Sequence, residues 1–212
     1  MSGKFAVTGW VVAAGLASVM LVSGFQGAQD KFGVVDLNKA VQDSDVGKKN
    51  KEQLETAVNA RRGIIDFMQQ NRVLTLEQAQ KLKNLSLKSP PTDAEKKDLD
   101  KVKADVVIAK QNFEALNQKP NPTEDDRNLL KEYNNRIQST NNLIQDWGGE
   151  FQGFLENLQQ TLISNSVKRA DTAIHEISKK DGYTVVYAMP ASAVYGANDL
   201  TGALTKAIDA QK

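Results

Sequence analysis

The 212-residue chain has no cysteine, one histidine and five prolines, and its 27 basic side chains almost cancel its 26 acidic ones. Without cysteine it can build no disulfide framework, no thiolate zinc site and no thiol nucleophile. A net charge of +1 generates no field that would gather polyanions, which argues against a dedicated nucleic-acid binder. What is present is ordinary globular composition, 40% hydrophobic and 25% charged with 14 glycines, as expected of one domain or of one domain with an extension. Wholesale disorder, collagen-like repetition and a multi-span membrane protein do not fit it.

The composition is uneven along the chain. Residues 1–28 hold no acid and a single base, Lys4, ahead of a mostly apolar stretch from Val11 to Val22 and small residues at Ser23, Gly24, Gly27 and Ala28. This is the pattern of a secretory signal peptide. Its apolar core of about 12 residues is shorter than the ~20 that a spanning helix needs. Cleavage fits near residue 24 or near residue 28, and an uncleaved anchor is the alternative reading. Two strand-like pieces frame the rest: Gly33 to Leu37, and Tyr183 to Met189, the latter introduced by Asp181-Gly182 and stopped by Pro190. Everything between them carries helical pattern, so a sheet containing both requires a long helical excursion that leaves the domain and returns.

That excursion has 3-4 apolar spacing, the seam of a coiled coil or helical hairpin. Leu54, Val58, Arg61, Ile65 and Met68 form one row with a single polar interruption; Leu99, Val102, Val106, Ala109, Phe113 and Leu116 form another. A third row runs through Leu130, Tyr133, Ile137, Ile144, Trp147, Phe151, Leu155 and Leu158, and core packing between helices accounts for all three. Thr75 with Gln78 and Thr92 with Glu95 are capping boxes, and Thr123 precedes the acidic first turn Glu124-Asp125-Asp126. Leu85, Lys88, Pro91, Thr92 and Leu99 recur 31 residues later as Leu116, Lys119, Pro122, Thr123 and Leu130. In each copy a helix ends, a proline forbids its continuation, and a capped helix begins. Laying the outgoing helices end to end against the return segment from Glu124 to Ser178 predicts one antiparallel hairpin with its tip at Pro120 to Pro122. A local three-helix tip, with Pro90 and Pro91 reversing the chain, is the alternative. Gly148 and Gly149 fall within the return helix, where a bend or soft point is expected.

Chemistry is nearly absent. His175 shares a helix face with Asp171 and Ser178, but a helix surface supplies neither oxyanion hole nor pocket. Gly47-Lys48 lacks the earlier glycine of a phosphate loop, where Gln42 stands. Asp43 with Asp45 and Asp125 with Asp126 read as helix-start acids rather than metal ligands. No catalytic residue, cofactor site or metal site is assigned.

The two ends of the chain carry a resemblance. Val34 to Glu55 (VVDLNKAVQDSDVGKKNKEQLE) and Lys179 to Asp209 (KKDGYTVVYAMPASAVYGANDLTGALTKAID) resemble the opening and closing segments of the Skp/OmpH family of periplasmic chaperones. Val194, Tyr195, Asp199, Leu200 and Thr201 occupy the places of that family's closing element. The resemblance implies an α+β, predominantly α protein: a small β body bearing a long antiparallel helical-hairpin (coiled-coil) arm, assembled as a homotrimer. The implied organisation is a signal peptide at 1–28, a discontinuous body at 32–47 and 179–212, and an arm at 48–178.

The body-core candidates are Val34, Val35, Leu37, Val185, Val186, Tyr187, Leu200, Leu204 and Ile208; the arm's hinge and tip candidates are Pro90, Pro91, Pro120, Pro122, Gly148 and Gly149. The function implied by the resemblance is ATP-independent holding of unfolded outer-membrane β-barrel proteins in the periplasm. Val102, Val106, Phe113, Leu116, Tyr133, Ile137 and Trp147 are the client-contact candidates, and transient membrane-surface contact is a further expectation. Two features depart from the family: the region from Lys81 to Lys131 is near neutral, with 11 bases and 9 acids, and the repeated corners lengthen the arm. An envelope scaffold with coiled arms and no client is the second reading, and an enzyme the third.

Overall fold

A computed structural model describes residues 31–189 and 197–211. Along the chain these form β1 (Phe32–Val35), α1 (Leu37–Asp43), α2 (Asp45–Gln70), α3 (Leu76–Ser86), α4 (Asp93–Asn117), α5 (Glu124–Asp181), β2 (Val185–Ala188), β3 (Asn198–Asp199) and α6 (Thr201–Ala210). The leader, residues 1–28, and the family element at Val194 and Tyr195 lie outside the described residues. The chain divides into two compact units, one from Met1–Glu52 with Gln159–Lys212, the other from Gln53–Leu158.

The first unit is built on a three-stranded parallel sheet in the order β2-β1-β3. Phe32 pairs with Val185 and Val34 with Tyr187, so the two ends of the chain do meet in one sheet. Val35, Ala40, Ala170, Ala173, Ile177, Leu200, Leu204 and Ile208 form its buried core, with Leu37, Val186 and Tyr183 packed against it. The strands are shorter than the apolar runs suggest, and β3 consists only of Asn198 and Asp199. Local chemistry sets the corners. Asp36 caps α1 by accepting from the Lys39 amide at 2.9 Å. The fully buried Ser44 closes α1 and opens α2: its hydroxyl donates to the Val41 carbonyl at 2.6 Å and accepts from the Gly47 amide at 3.0 Å. A Cβ at Gly47 would stand 1.9 Å from the Val41 carbonyl oxygen, so only glycine fits this corner. Gly182, at φ 69°, takes the left-handed conformation that ends α5.

The second unit is helical, with a core of Ile64, Met68, Leu74, Ala79, Leu82, Val102, Val106, Trp147 and Phe151. Both capping boxes form: Thr75 with Gln78 starts α3, and Thr92 with Glu95 starts α4. At the third start the Asp126 carboxylate accepts from the Thr123 amide at 2.7 Å while the Thr123 hydroxyl accepts from the Asp126 amide at 3.2 Å. Helix α3 packs alongside α4 across the corner that holds Pro90 and Pro91. This corrects the expectation of outgoing helices laid end to end: summed helix lengths are indifferent to direction, and the apolar faces of α3 and α4 are buried against each other. Helix α5 has 58 residues, about 87 Å at 1.5 Å per residue, and continues unbroken through Gly148 and Gly149.

Candidate functional site

No catalytic constellation is assembled among the described residues. His175 and Asp171 approach to 3.8 Å on the surface of α5, both side chains more than half exposed. No group of His, Asp and Glu gathers at metal-binding distance among the described residues. One open cleft of about 340 Å³ is lined by Asp45, Lys49, Asn50, Arg169, Asp209 and Gln211. Its polar groups are largely committed to the fold: Asp209 accepts from the Asp45 amide, Asn50 donates to Ser166, and Arg169 and Gln211 exchange hydrogen bonds.

The body candidates divide by face. Val34, Val35, Leu200, Leu204 and Ile208 are buried, while Leu37 and Val186 are half-buried against them. Because side chains alternate across a strand, Phe32, Val34, Val185 and Tyr187 share the face opposite Val35 and Val186. On that face Phe32 is 37% and Tyr187 36% exposed. Tyr187 therefore lies outside the core of the single chain, as the parity of its position in the strand dictates, and on a face that an assembly of copies would cover. The Thr201 hydroxyl, and after it the Thr201 amide, which donates to Asp199 at 2.9 Å, hold the Asp199 carboxyl below the usual range.

The client-contact candidates also divide. Val102, Val106, Tyr133 and Trp147 are buried, whereas Phe113, Leu116 and Ile137 are half-buried. In the closed fold the first four hold helices together, since a 3-4 stripe buries itself against its neighbours before it offers itself to a ligand. Phe113 and Tyr133 meet edge to face at 5.5 Å. Of the hinge candidates, Pro90, Pro120, Gly148 and Gly149 are exposed, and Pro91 and Pro122 half-buried.

A cluster that the sequence did not announce surrounds Trp147 and Phe151, whose ring centroids lie 6.4 Å apart. The Lys83 ammonium sits 4.8 Å from the Trp147 ring and 5.5 Å from the Phe151 ring, and pairs with Glu150 at 2.6 Å. On α2, Arg61 stacks 3.6 Å over Phe154, which is 46% exposed, and reaches within 5.6 Å of Phe151. Burial lowers the Arg61 pKa and Glu150 partly restores it. Its Nε is buried without a hydrogen-bond partner, an arrangement that costs about 1–3 kcal/mol. In the sequence its members lay apart, Arg61 as the polar interruption of the first apolar row and Trp147 and Phe151 in the third, with nothing to join them to Lys83.

A family model described as "Outer membrane protein (OmpH-like)" matches residues 31–208, from the start of β1 into α6. The chain belongs to the OmpH-like family. Neither a curated protein nor a solved structure matches it. At family level the membership supports a periplasmic chaperone of outer-membrane proteins, and members of the OmpH-like family are chaperones rather than enzymes. Among the described residues no helix is long and apolar enough to cross a membrane.

Proposed function

We propose that this OmpH-like protein is an ATP-independent holdase that keeps unfolded outer-membrane β-barrel polypeptides from aggregating in the periplasm, reached through the leader at residues 1–28. The observation that carries the reading is the family match across residues 31–208 on a chain whose two ends build one small sheet. Holding of this kind needs no nucleotide, because many weak contacts on one scaffold give affinity while each remains reversible.

Assembly as a homotrimer is part of the proposal. An all-parallel sheet is ordinarily covered on both faces, yet Phe32 and Tyr187 stand exposed on one face of this one, and β2 and β3 are its edge strands among the described residues. Closure through neighbouring copies covers both. The test is to mix the purified protein with a urea-denatured outer-membrane porin, dilute the urea, and measure light scattering alongside the mass of the complex. The expected result is suppressed scattering and one porin per three copies. Unsuppressed scattering with a trimer intact removes the holding activity.

The burial of Val102, Val106, Tyr133 and Trp147 favours a second reading, an envelope scaffold whose helical arms are sealed. The same experiment separates the two, since a scaffold leaves the porin to aggregate.

A further inference from the structure

The residues best suited to gripping an apolar chain are covered by the protein's own helix α3. Trp147 and Phe151 on α5, with Ile64 and Met68 on α2, are 5% exposed or less and share a buried cluster with Ala79 and Leu82 of α3. Helix α3 has 11 residues, fewer than the ~12–15 an isolated helix needs to persist in water, and is bounded by non-helical corners at 71–75 and 87–92. The capping box at Thr75 marks where α3 begins and the one at Thr92 where α4 begins, so α3 is set off from its neighbours at both ends. Its polar fastening to α5 runs through Lys83, whose ammonium lies over both rings and pairs with Glu150. On α5 the exposed Gly148, Gly149 and Gly153 have nothing within 4 Å of where a Cβ would stand, so packing does not require them and they leave the segment bearing both rings pliable.

We propose that α3 is a displaceable lid over an aromatic site formed by Trp147 and Phe151, and that the occupant is an extended polypeptide segment with alternating apolar side chains. This rests on the holdase reading and names its site. Spacing selects the occupant: alternate residues of an extended strand lie about 6.6–6.8 Å apart, and the two ring centroids lie 6.4 Å apart. Strands of membrane barrels carry that alternation on their lipid-facing side. When the lid lifts, Lys83 leaves Glu150 and is free to take a carboxylate beside the apolar run.

The natural chain has no cysteine, so a Lys83→Cys, Glu150→Cys full-length variant can be bridged by a reducible bis-thiosulfonate linker of ammonium-carboxylate length. The probes are two nine-residue peptides of identical composition, one alternating apolar and polar residues and one with the apolar residues in a block. The bridged protein is expected to bind the alternating peptide at least fivefold more weakly than the same protein after reduction, and Lys83→Met to bind it more tightly than wild type. Equal binding before and after reduction, or no preference between the peptides, overturns the lid. Porin aggregation distinguishes the two readings: if bridged and reduced forms suppress it equally, only the lid fails. If neither form nor wild type suppresses it, holding fails, and hydrogen exchange at residues 143–155 that is unchanged by reduction removes the lid as well.

Discussion

The Asp209 carboxylate of α6 accepts hydrogen bonds from the backbone amides of Asp45 at 2.8 Å and Val46 at 3.4 Å, capping α2 from 164 positions away. It completes a row on α6. Thr201 accepts from the Asp36 amide at 2.9 Å and Thr205 donates to the Ala40 carbonyl at 3.3 Å, so residues one turn apart fasten the start of α1, its middle and the start of α2. Replacing Asp209 with Ala orphans two amides and is expected to destabilise the first unit by about 1 kcal/mol. Asp209→Asn should recover most of the loss, because an amide oxygen still accepts. Urea unfolding followed by far-UV circular dichroism checks both variants.

Glycine in a helix interior costs up to about 1 kcal/mol relative to alanine. At Gly148, Gly149 and Gly153 an added methyl meets open space, so alanine at each is expected to raise stability by about 0.5–1 kcal/mol. Differential scanning calorimetry of the triple variant should show an increase near the sum, reduced where neighbouring sites couple. The same variant stiffens the segment bearing Trp147 and Phe151, and slower amide exchange at residues 147–153 is the accompanying result.

How far these features could be read beforehand depended on the range of the interaction. The starts at Thr75, Thr92 and Thr123 were legible because a cap is a contact between residues three apart. Val34 and Val186 were legible as strands from their β-branched runs. The pairing of Asp209 with Asp45 was not, since nothing local marks a carboxylate as the partner of an amide at the other end of the chain. β3 was missed because two polar residues carry no alternation. Thr140, 1% exposed, sits in the third apolar row, where its hydroxyl disguised a buried position. The direction of α3 stayed open between an end-to-end hairpin and a reversal at Pro90 and Pro91, because an apolar stripe records that a face is covered but not by what. The same ambiguity attends Val102, Val106, Tyr133 and Trp147, offered as client contacts and buried as core side chains in the single chain.

Acid should loosen the repeated corners. The ammonium of Lys88 together with the cap at Thr92 lowers the Glu95 pKa from 4.5 to about 2, and Lys119 with Thr123 lowers that of Asp126 from 3.8 to about 2. A carboxylate held below its unfolded value stabilises the fold while ionised. The Glu95 contribution is therefore whole above about pH 4.5 and disappears as pH falls toward 2; that of Asp126 disappears between about 3.8 and 2. Amide exchange at residues 88–95 and 119–126 should rise across those windows before the rest of the second unit responds. Lys88→Ala should move the Glu95 titration, followed by carboxyl carbon chemical shift, back toward 4.5.

Trimer formation gives the last prediction. Phe32 and Tyr187 lie on neighbouring strands, on the sheet face away from the buried helices, each more than a third exposed. In a single chain a charge at either place meets water, and such surface changes ordinarily shift stability by no more than about 0.5 kcal/mol. Across an interface between copies the same charges would be buried without partners, which costs several kcal/mol each. Phe32→Glu combined with Tyr187→Glu is thus expected to yield a folded monomer, with helical content retained by circular dichroism and the mass of one chain by sedimentation equilibrium. A double variant that still sediments as three chains would show that the copies meet through some other surface. Loss of helical content would show instead that the face supports the single chain, and the exposure of its two aromatic rings would need another explanation.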